Sequence, residues 1–284
     1  MKIKTIEILK KAMAENIAVG AFNTSNLEVS QAIVRGAKEL NLPCIIQATT
    51  STFDFIGKEI FGKMIEIVIE EESNSTPIGF HLDHGKKFDD IMNAIEIGMD
   101  SVMIDGSKLS FKENLALSKK VVAYAHSKGV SVQAELGAVP YLGREESEVD
   151  WNEIMTNPNE AKILAEEANI DALAVGIGNA HGFFKERTRP DWARLKEIKR
   201  LLPETPLILH GASDWDEEKI RRAISEGICC FNIDTDLRMA FIKAICNQVS
   251  PRCDIVDPRK IMIEVRKKIQ EKVMEKIKLF AGKL

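Results

Sequence analysis

Short, nearly continuous apolar runs alternate along the chain with longer segments in which apolar residues recur at every third or fourth position. Successive side chains of a strand point to opposite faces, so a run that is apolar throughout predicts a strand that is covered on both sides. Such strands are typical of a buried parallel sheet. Eight runs of this kind are present: Ile17–Asn23, Pro43–Thr49, Pro77–Asp83, Ser101–Gly106, Ser131–Gly137, Ala172–Gly178, Pro206–Gly211 and Cys229–Ile233.

The segments between the runs have the period of amphipathic helices. They include Leu27–Leu40, Phe88–Ile97, Phe111–Ser127, Pro158–Ala168, Trp192–Leu202 and Glu217–Glu226. Eight strand–helix units in a chain of 284 residues predict an α/β fold, the (β/α)8 or TIM barrel. A doubly wound open sheet is the competing fold, but the chain contains neither a Gly-x-Gly-x-x-Gly nor a P-loop pattern.

Both ends of the chain have a helical pattern. Met1–Asn16 is predicted to be a helix that caps the bottom of the barrel, and Asp257–Leu284 is predicted to be a closing helix whose many lysines face solvent. No linker-like or low-complexity stretch divides the chain, so residues 1–284 are expected to form a single domain. The long loop Glu135–Asp150, after the fifth strand, is either a mobile lid over the barrel mouth or an ordinary insertion.

The composition is that of an ordinary globular protein, with 45% hydrophobic and 29% charged residues. A net charge of −4 argues against nucleic acid or an anionic membrane as the main partner. No apolar run approaches the roughly 20 residues that span a bilayer, and the N-terminus lacks the apolar core of a signal peptide. The five cysteines include no CxxC pair and suit a reducing compartment, so a cytoplasmic location is expected.

Polar residues are concentrated at the carboxyl ends of the predicted strands. In a barrel these ends meet on one rim, where the active sites of this fold are built. Every strand contributes to the set, which consists of Asn23, Gln47, Thr49, Asp83, His84, Asp105, Glu135, Asn179, His181, His210, Asn232, Asp234 and Thr235. Buried strands have no structural need for polar groups at one end only, so the pattern predicts a functional rim.

Three of the chain's five histidines lie at these strand ends: His84, His181 and His210. Neutral imidazole is the commonest protein ligand of metals, and three protein ligands with one open position are typical of a catalytic zinc site. A single histidine would more often be a hydrogen-bonded core residue. Three that converge on one rim predict a metal centre.

The neighbours of His84 have distinct expected roles. Asp83 and His81 are two positions apart, so their side chains are expected to point the same way, whereas His84 faces elsewhere or lies just beyond the strand. His84 is therefore the better metal ligand, and His81 is a structural or supporting group. Asp83 is either a proton donor and acceptor or a group that orients a ligating histidine. His126 falls on a predicted helix and is expected at the surface.

Small residues follow the sixth and seventh strands. Gly182 and the run Gly211–Ser213 leave backbone N–H groups unobstructed, and Asn232–Thr235 lies at the end of the eighth strand and the start of a helix. Amides and hydroxyls at the corner between strands seven and eight bind phosphate in many barrels. Beside a metal, this corner indicates a small phosphorylated carbonyl compound as the substrate.

Seven motifs, spread over nearly the whole chain, resemble those of one family. They are HLDHG at 81–85, VMIDGS at 102–107, AELG at 134–137, IGNAHG at 177–182, LHGAS at 209–213, NIDTDLR at 232–238 and DPRK at 257–260. Each motif alone is a weak signal. Together they make the chain similar to the class II, metal-dependent ketose-bisphosphate aldolases, the group that includes fructose-bisphosphate and tagatose-bisphosphate aldolases.

The resemblance implies roles for many of the rim residues. It makes Asp83 the proton-transfer residue. It implies zinc bound by His84, His181 and His210, with a second or displaced metal at Asp105 and Glu135. The residues that it implies for substrate binding are Asn23, Thr49, Gly182, Gly211, Ser213, Asn232, Asp234 and Thr235. It also implies that Arg259 of a neighbouring subunit binds the distal phosphate. A monovalent cation near the phosphate, Na+ or K+, and a homodimer or homotetramer are further implications.

The chain departs from the family pattern in three places. Gln133 stands where the second signature usually has its first glutamate, and Cys230 replaces a lysine usual two residues before the strand 8 asparagine, which removes a positive charge near the phosphate end. The loop after Glu135 lacks the usual Gly-Gly. The family places a loop glutamate over the site to move the proton of the substrate carbon, and both Glu145 and Glu146 match that position.

The resemblance implies the reversible cleavage of a ketose 1,6-bisphosphate, of fructose or tagatose, to dihydroxyacetone phosphate and glyceraldehyde 3-phosphate. An aldolase that forms a Schiff base is disfavoured, because no lysine lies within the eight runs. Two alternatives stay open. One is an aldolase of the same family that acts on another sugar phosphate, such as a deoxy-keto-sugar phosphate or a sulfosugar phosphate, and the other is a non-catalytic phosphosugar-binding subunit.

Overall fold

Eight parallel strands form a closed barrel, in which each strand pairs with the next along the chain and the eighth pairs with the first. The strands are β1 (Val19–Asn23), β2 (Cys44–Ala48), β3 (Ile78–Gly85), β4 (Ser101–Ile104), β5 (Ser131–Leu136), β6 (Ala172–Val175), β7 (Leu207–Leu209) and β8 (Ile228–Ile233). The computed structural model describes residues 1–140, 150–182, 190–213, 215–250 and 256–283. The predicted (β/α)8 barrel is confirmed, and every strand overlaps the apolar run that predicted it.

The described residues contain twelve helices. They are α1 (Thr5–Ala14), α2 (Leu27–Leu40), α3 (Thr50–Ile56), α4 (Lys58–Glu72), α5 (Phe88–Glu96), α6 (Phe111–Ser127), α7 (Trp151–Ile154), α8 (Pro158–Ala168), α9 (Trp192–Leu201), α10 (Glu217–Ser225), α11 (Thr235–Val249) and α12 (Pro258–Phe280). The six predicted helices between strands are all found, but α3, α4 and α7 were not predicted. None of the helices in the described ranges is long and apolar enough to cross a membrane.

Helix α1 closes the amino-terminal end of the barrel, as predicted. Its residues Ile8 and Leu9 belong to the same buried cluster as Ile45 and Met103 of the barrel interior. Burying a side chain of this size stabilises a fold by about 1.5–3 kcal/mol. The amino-terminal end is therefore filled with apolar side chains, and the open cavity lies at the other end.

Both faces of the barrel strands are covered. Every residue of the strands other than His84 is buried. This burial is the physical reason for the apolar runs, because a strand between the barrel interior and a helix layer has no face in water. Polar side chains therefore collect where the strands end, on the rim that carries the cavity.

Helix α12 packs against α2 and α11 with the period that the sequence predicts. Val265, Ile269, Val273 and Ile277 are buried on one face of the helix. Most of its lysines are exposed or half-buried, but Lys276 is only 6% exposed. The prediction of a solvated lysine face is therefore wrong at this position.

Candidate metal centre and catalytic cavity

The end of β3 places two consecutive polar side chains in the barrel mouth. The strand register shifts between Leu82 and Gly85, and His84 has a φ angle of +51°, in the left-handed region that non-glycine residues seldom adopt. This turn brings Nε2 of His84 to 3.9 Å from Oδ1 of Asp83. The expectation that His84 and Asp83 face different ways is therefore wrong. The left-handed residue costs about 1–2 kcal/mol and directs both groups into one cavity.

The three predicted imidazoles meet at the barrel mouth. His84, His181 and His210 each offer a ring nitrogen, and these nitrogens lie within 4.8 Å of one another. Nδ1 of His210 is 3.0 Å from Nε2 of His84. Two nitrogens that share a tetrahedral zinc ion, each at about 2.0–2.1 Å, lie about 3.3 Å apart, so the arrangement fits a shared ion.

A second group of possible ligands shares His84 with the first. Nδ1 of His84 is 2.9 Å from Oδ2 of Asp105 and 3.5 Å from Oε2 of Glu135. Glu135 is 1% exposed, and its Oε2 accepts no hydrogen bond from any residue in the described ranges. A buried carboxylate oxygen without a donor is costly unless positive charge lies beside it. The two groups together therefore form a site suited to a cation.

Burial and neighbouring charges change the pKa values of the cluster. Burial alone lowers the pKa of His84, but three neighbouring carboxylates outweigh it and raise that pKa to about 10. Burial, reinforced by the charge on His84, lowers the pKa of His181 to about 4 and that of His210 well below its usual range. Burial raises the pKa of Glu135 to about 8. Two imidazoles are thus neutral at pH 7, as metal ligands must be. The third, His84, holds a proton that its neighbouring carboxylates stabilise, and a bound metal ion would displace this proton.

Two side-chain amides hold the carboxylate of Asp83. Nδ2 of Asn23 donates to its Oδ2 at 2.8 Å, and Nδ2 of Asn232 donates to its Oδ1 at 3.0 Å. Nε2 of Gln47 in turn donates to Oδ1 of Asn23 at 2.7 Å. Burial raises the pKa of Asp83, but the charges on His84 and the other histidines, with the Asn23 amide, lower it below its usual value. The family resemblance places Asn23 and Asn232 only at the substrate, and the polar end of β2 was the signal for Gln47.

The inner side of His210 is also hydrogen-bonded. Its Nε2 lies 3.2 Å from Nε2 of Gln133 and 3.0 Å from Nδ2 of Asn232, so Nδ1 is the nitrogen that faces the cluster.

Gln133, His81 and Cys230 line one small cavity inside the barrel. Cys230 is 1% exposed there and does not line the large cavity. The Cys230 side chain therefore points into the barrel interior, and the loss of a positive charge near the phosphate end, inferred from the family lysine that it replaces, stays a prediction.

The corner between β7 and β8 has the features of an anion site. Gly211 has a φ angle of +62°, and a Cβ atom there would lie 2.5 Å from the carbonyl group of Ala180, so only glycine fits. Ser213 and Thr235 line the adjoining cavity, and Thr235 is the first residue of α11. The N–H groups and the positive end of the dipole at a helix start favour a phosphoryl group.

One cavity of about 590 Å³ unites the histidine cluster, Asp83 and the corner between β7 and β8. The predicted site residues that line it are Asn23, Thr49, Asp83, His84, Asp105, Glu135, His181, His210, Gly211, Ser213, Asn232, Asp234 and Thr235. Lining residues that were not predicted include four polar ones: Lys86, Ser107, Lys108 and Arg238. Ser107 and Arg238 lie within the motifs VMIDGS and NIDTDLR, which could have indicated them. No sequence signal distinguishes Lys86 and Lys108, because charged residues are common in any surface loop.

Four predicted site residues are not among those that line the cavity. Gly182, with a φ angle of +90°, comes directly after a lining histidine. Arg259 lies in the first turn of α12, where its guanidinium pairs with Asp257 at 3.0 Å, and it borders a different cavity. It therefore does not reach the catalytic cavity of its own chain. Glu145 and Glu146 lie outside the described residues.

Comparison with known proteins identifies the family. The profile of the class II fructose-bisphosphate aldolases matches residues 3–283. A fructose-bisphosphate aldolase from Thermus caldophilus is 36% identical over 305 aligned positions, which cover 99% of this chain and 99% of that protein. The crystal structure of the YdjI aldolase from Escherichia coli K12 has a TM-score of 0.87 at 31% identity, covering 100% of this chain and 98% of the other. The crystal structure of a fructose-bisphosphate aldolase from Campylobacter jejuni shares the fold, with a TM-score of 0.82 at 20% identity. The alignment covers 98% of this chain and 95% of the other.

The extent of this likeness exceeds what a shared barrel alone would produce, because many unrelated enzymes use the same fold. It includes the strand ends on which the histidines and carboxylates lie. Class II aldolases are in general metal-dependent, and the cluster around His84 provides donors for a metal. The chain belongs to the class II fructose-bisphosphate aldolase family and is an aldolase, a carbon–carbon lyase.

Proposed function

We propose that the enzyme catalyses the reversible cleavage of fructose 1,6-bisphosphate or tagatose 1,6-bisphosphate to dihydroxyacetone phosphate and glyceraldehyde 3-phosphate. The observation that carries this proposal is the meeting of His84, His181 and His210 beside Asp83 in one cavity. The family, and the name of the Thermus caldophilus relative, support the substrate class. A cytoplasmic location, which suits the free cysteines of the described residues, is part of the proposal.

The three imidazoles would hold one zinc ion per subunit, and Asp105 with Glu135 would offer a second position that shares His84. Nitrogen ligands in a tetrahedral arrangement suit zinc. When bound, the ion supplies Lewis-acid polarisation of the substrate's carbonyl oxygen. A monovalent cation, Na+ or K+, would accompany the phosphate at the corner between β7 and β8.

Asp83 takes the proton of the C4 hydroxyl as the C3–C4 bond breaks, and the electron pair of that bond stays with the dihydroxyacetone phosphate half. The amides of Asn23 and Asn232 hold the carboxylate in one orientation, and the charge on His84, with the Asn23 amide, keeps its pKa low so that it is ready to accept. In condensation the protonated carboxyl returns the proton to the forming alkoxide. Glu145 or Glu146 would exchange the proton at C3.

The phosphate of the dihydroxyacetone half is assigned to the corner between β7 and β8. Its expected contacts are Gly182, Gly211, Ser213, Asn232 and Thr235, while Asn23, Thr49 and Asp234 are expected to contact the substrate. Anchoring the phosphate fixes the register of the chain of carbon atoms against Asp83. Such positioning is a major source of rate in enzymes that align two reacting groups.

A second candidate is an aldolase of the same family that acts on a deoxy-keto-sugar phosphate or a sulfosugar phosphate. The departures from the family pattern at Cys230 and in the loop after Glu135, which lacks the usual Gly-Gly, favour it. A non-catalytic phosphosugar-binding subunit is disfavoured, because Asp83 is present with both oxygens hydrogen-bonded beside the histidine cluster.

Purified, metal-replete enzyme assayed against a panel of sugar phosphates tests the proposal. We expect a kcat/KM for fructose or tagatose 1,6-bisphosphate that is at least about tenfold above that for a deoxy-keto-sugar phosphate or a sulfosugar phosphate, which corresponds to about 1.4 kcal/mol of transition-state binding. Release of dihydroxyacetone phosphate is followed by coupled NADH oxidation. The reverse preference would select the second candidate, and no release from any compound would contradict the proposed activity.

The proposed homodimer or homotetramer is supported by an exposed apolar groove beside the catalytic cavity. Phe55 is 80% exposed and Ile242 is 58% exposed, and both line this groove. Apolar patches of this kind often mark protein interfaces. We expect light scattering to give a dimer or tetramer for the native chain and a smaller species for Phe55→Glu/Ile242→Glu. The control Ile163→Glu, on α8 at 39% exposure, is expected to keep the native mass. A monomeric native chain would contradict this assembly.

A further inference from the structure

A buried lysine lies behind the corner between β7 and β8. Lys276 of α12 is 6% exposed, and its Nζ lies 2.7 Å from Oδ2 of Asp236. The same Nζ donates a hydrogen bond to the carbonyl oxygen of Ser213 at 3.3 Å. One ammonium group therefore connects three separate parts of the chain: the closing helix, the first turn of α11 and the loop after β7.

Stability alone is a weak reason for this pair. Removing an ammonium and a carboxylate from water costs several kcal/mol, and apolar residues of similar size often replace a buried ion pair with little loss. The side chains of Lys276 and Asp236 are 8% and 11% exposed, so both groups bear that cost. The position of the pair, between helix α12 and the residues proposed to bind phosphate, indicates a role there.

The acids around Thr235 explain why a cation is needed. Asp234 and Asp236 flank this residue at the start of α11, where two unpaired carboxylates would repel a phosphoryl dianion. Each acid has a cation of its own. Nε of Arg238 lies 2.6 Å from Oδ1 of Asp234, and Nζ of Lys276 lies 2.7 Å from Oδ2 of Asp236. With both acids neutralised, the positive end of the helix dipole is left to act on an anion.

The hydrogen bond to Ser213 adds an orienting effect. A carbonyl group that accepts from a buried ammonium is fixed in direction, and this direction sets the backbone angle of the residue that carries it. Ser213 is 8% exposed and lines the catalytic cavity close to Gly211. The contact therefore fixes the loop from behind, without occupying the cavity itself.

We propose that Lys276 is a positioning residue of the phosphate site. By neutralising Asp236 and holding the carbonyl group of Ser213, it keeps the corner between β7 and β8 able to bind a phosphoryl dianion. The inference rests on the proposed function, since the dianion is the phosphate of the sugar phosphate. Lys276 is not among the residues that line the catalytic cavity, so its loss is expected to weaken phosphate binding and to leave metal binding unchanged.

The test measures two affinities on full-length, zinc-loaded enzyme. Titration calorimetry gives the Kd of dihydroxyacetone phosphate, and competition with a chelator gives the Kd of zinc. For Lys276→Met we expect the Kd of dihydroxyacetone phosphate to rise at least about tenfold, since an unpaired Asp236 repels the dianion, and the Kd of zinc to stay within about twofold. Lys276→Arg keeps the charge and is expected to bind more tightly than Lys276→Met.

A second variant covers the case in which Lys276→Met does not fold. In Lys276→Met/Asp236→Asn both charges are removed together. We expect the Kd of dihydroxyacetone phosphate to rise at least about threefold, because the carbonyl group of Ser213 still loses its hydrogen-bond donor. The matched control is Lys268→Met on the same helix, where the ammonium pairs with Glu271 at 2.7 Å but is 56% exposed. This control is expected to bind dihydroxyacetone phosphate as the native enzyme does.

The outcomes separate this inference from the function on which it rests. A folded Lys276→Met or double variant that binds dihydroxyacetone phosphate within twofold of the native enzyme would overturn the positioning role alone. An equal weakening of zinc and of dihydroxyacetone phosphate would overturn it as well, because it would indicate a general loss of structure. Native enzyme that binds no dihydroxyacetone phosphate would overturn the proposed function and this inference with it.

Discussion

Replacing Asp83 with alanine is expected to lower kcat for cleavage by about 10²–10⁴-fold and to leave the metal bound, because a positioned acid or base contributes about that much. Asp83 is 5% exposed, and its carboxylate lies 3.9 Å from Nε2 of His84 and is held by two amides, which suits a group that accepts a proton at one defined place. The rate of dihydroxyacetone phosphate release and the zinc content by mass spectrometry are measured on the same preparation.

Asp83→Asn is the matched variant, since it keeps the shape of the side chain and one acceptor oxygen for the two amides, but it cannot take up the proton. We expect it to be as inactive as Asp83→Ala and to be better folded, because the alanine leaves the amides of Asn23 and Asn232 without their acceptor. Turnover within a few-fold of the native rate would refute the proton-transfer role. Loss of zinc together with activity would instead assign Asp83 to orienting a ligand.

Removal of the metal is expected to abolish cleavage, with a loss of at least about 10³-fold that is reversed by adding zinc. The reason is that a bound ion and the charges around it supply several kcal/mol of transition-state stabilisation, and each 1.4 kcal/mol is about tenfold in rate. Chelator-treated enzyme is assayed before and after zinc is returned, with the metal content measured at each step. Metal-free enzyme that keeps its turnover would contradict the proposed mechanism.

Single alanine variants of the ligands test the assignment residue by residue. His181→Ala and His210→Ala are expected to weaken zinc binding by at least about 10-fold and to lose turnover in proportion. His126→Ala is the control, since this half-buried histidine of α6 pairs with Asp171 at 2.7 Å and does not line the catalytic cavity. Equal zinc affinity in all three variants would contradict the three-histidine site.

The fold was predictable because its signal is local. Each strand of the barrel is buried on both faces, so its sequence is apolar throughout, and eight such runs with helices between them leave few architectures. The failure to predict one of the helices also has a local cause. Helix α4 was missed because Ile60 and Ile67 are apolar but exposed, which blurs the amphipathic period.

The candidate site was predictable as a set of residues but not as a geometry. His181 and His210 could be found because each is a polar residue at the end of an apolar run. The direction of His84 could not, because strand alternation fails where its left-handed turn interrupts the register of β3. The role of Gln47 was hidden as well, since it acts on Asp83 only through Asn23, a residue of another strand.

From the sequence alone came the number and order of the strands, the rim on which the polar residues lie and the family that they resemble. These features depend on periods of two and 3.6 residues and on short motifs, which are properties of neighbouring positions. Only the tertiary structure decided that Lys276 is buried against Asp236, that Cys230 points into the barrel interior and that Arg259 stays outside the catalytic cavity. Each of these three placements depends on which distant segments pack together. The residue pattern of a single segment does not indicate which other segment it will pack against.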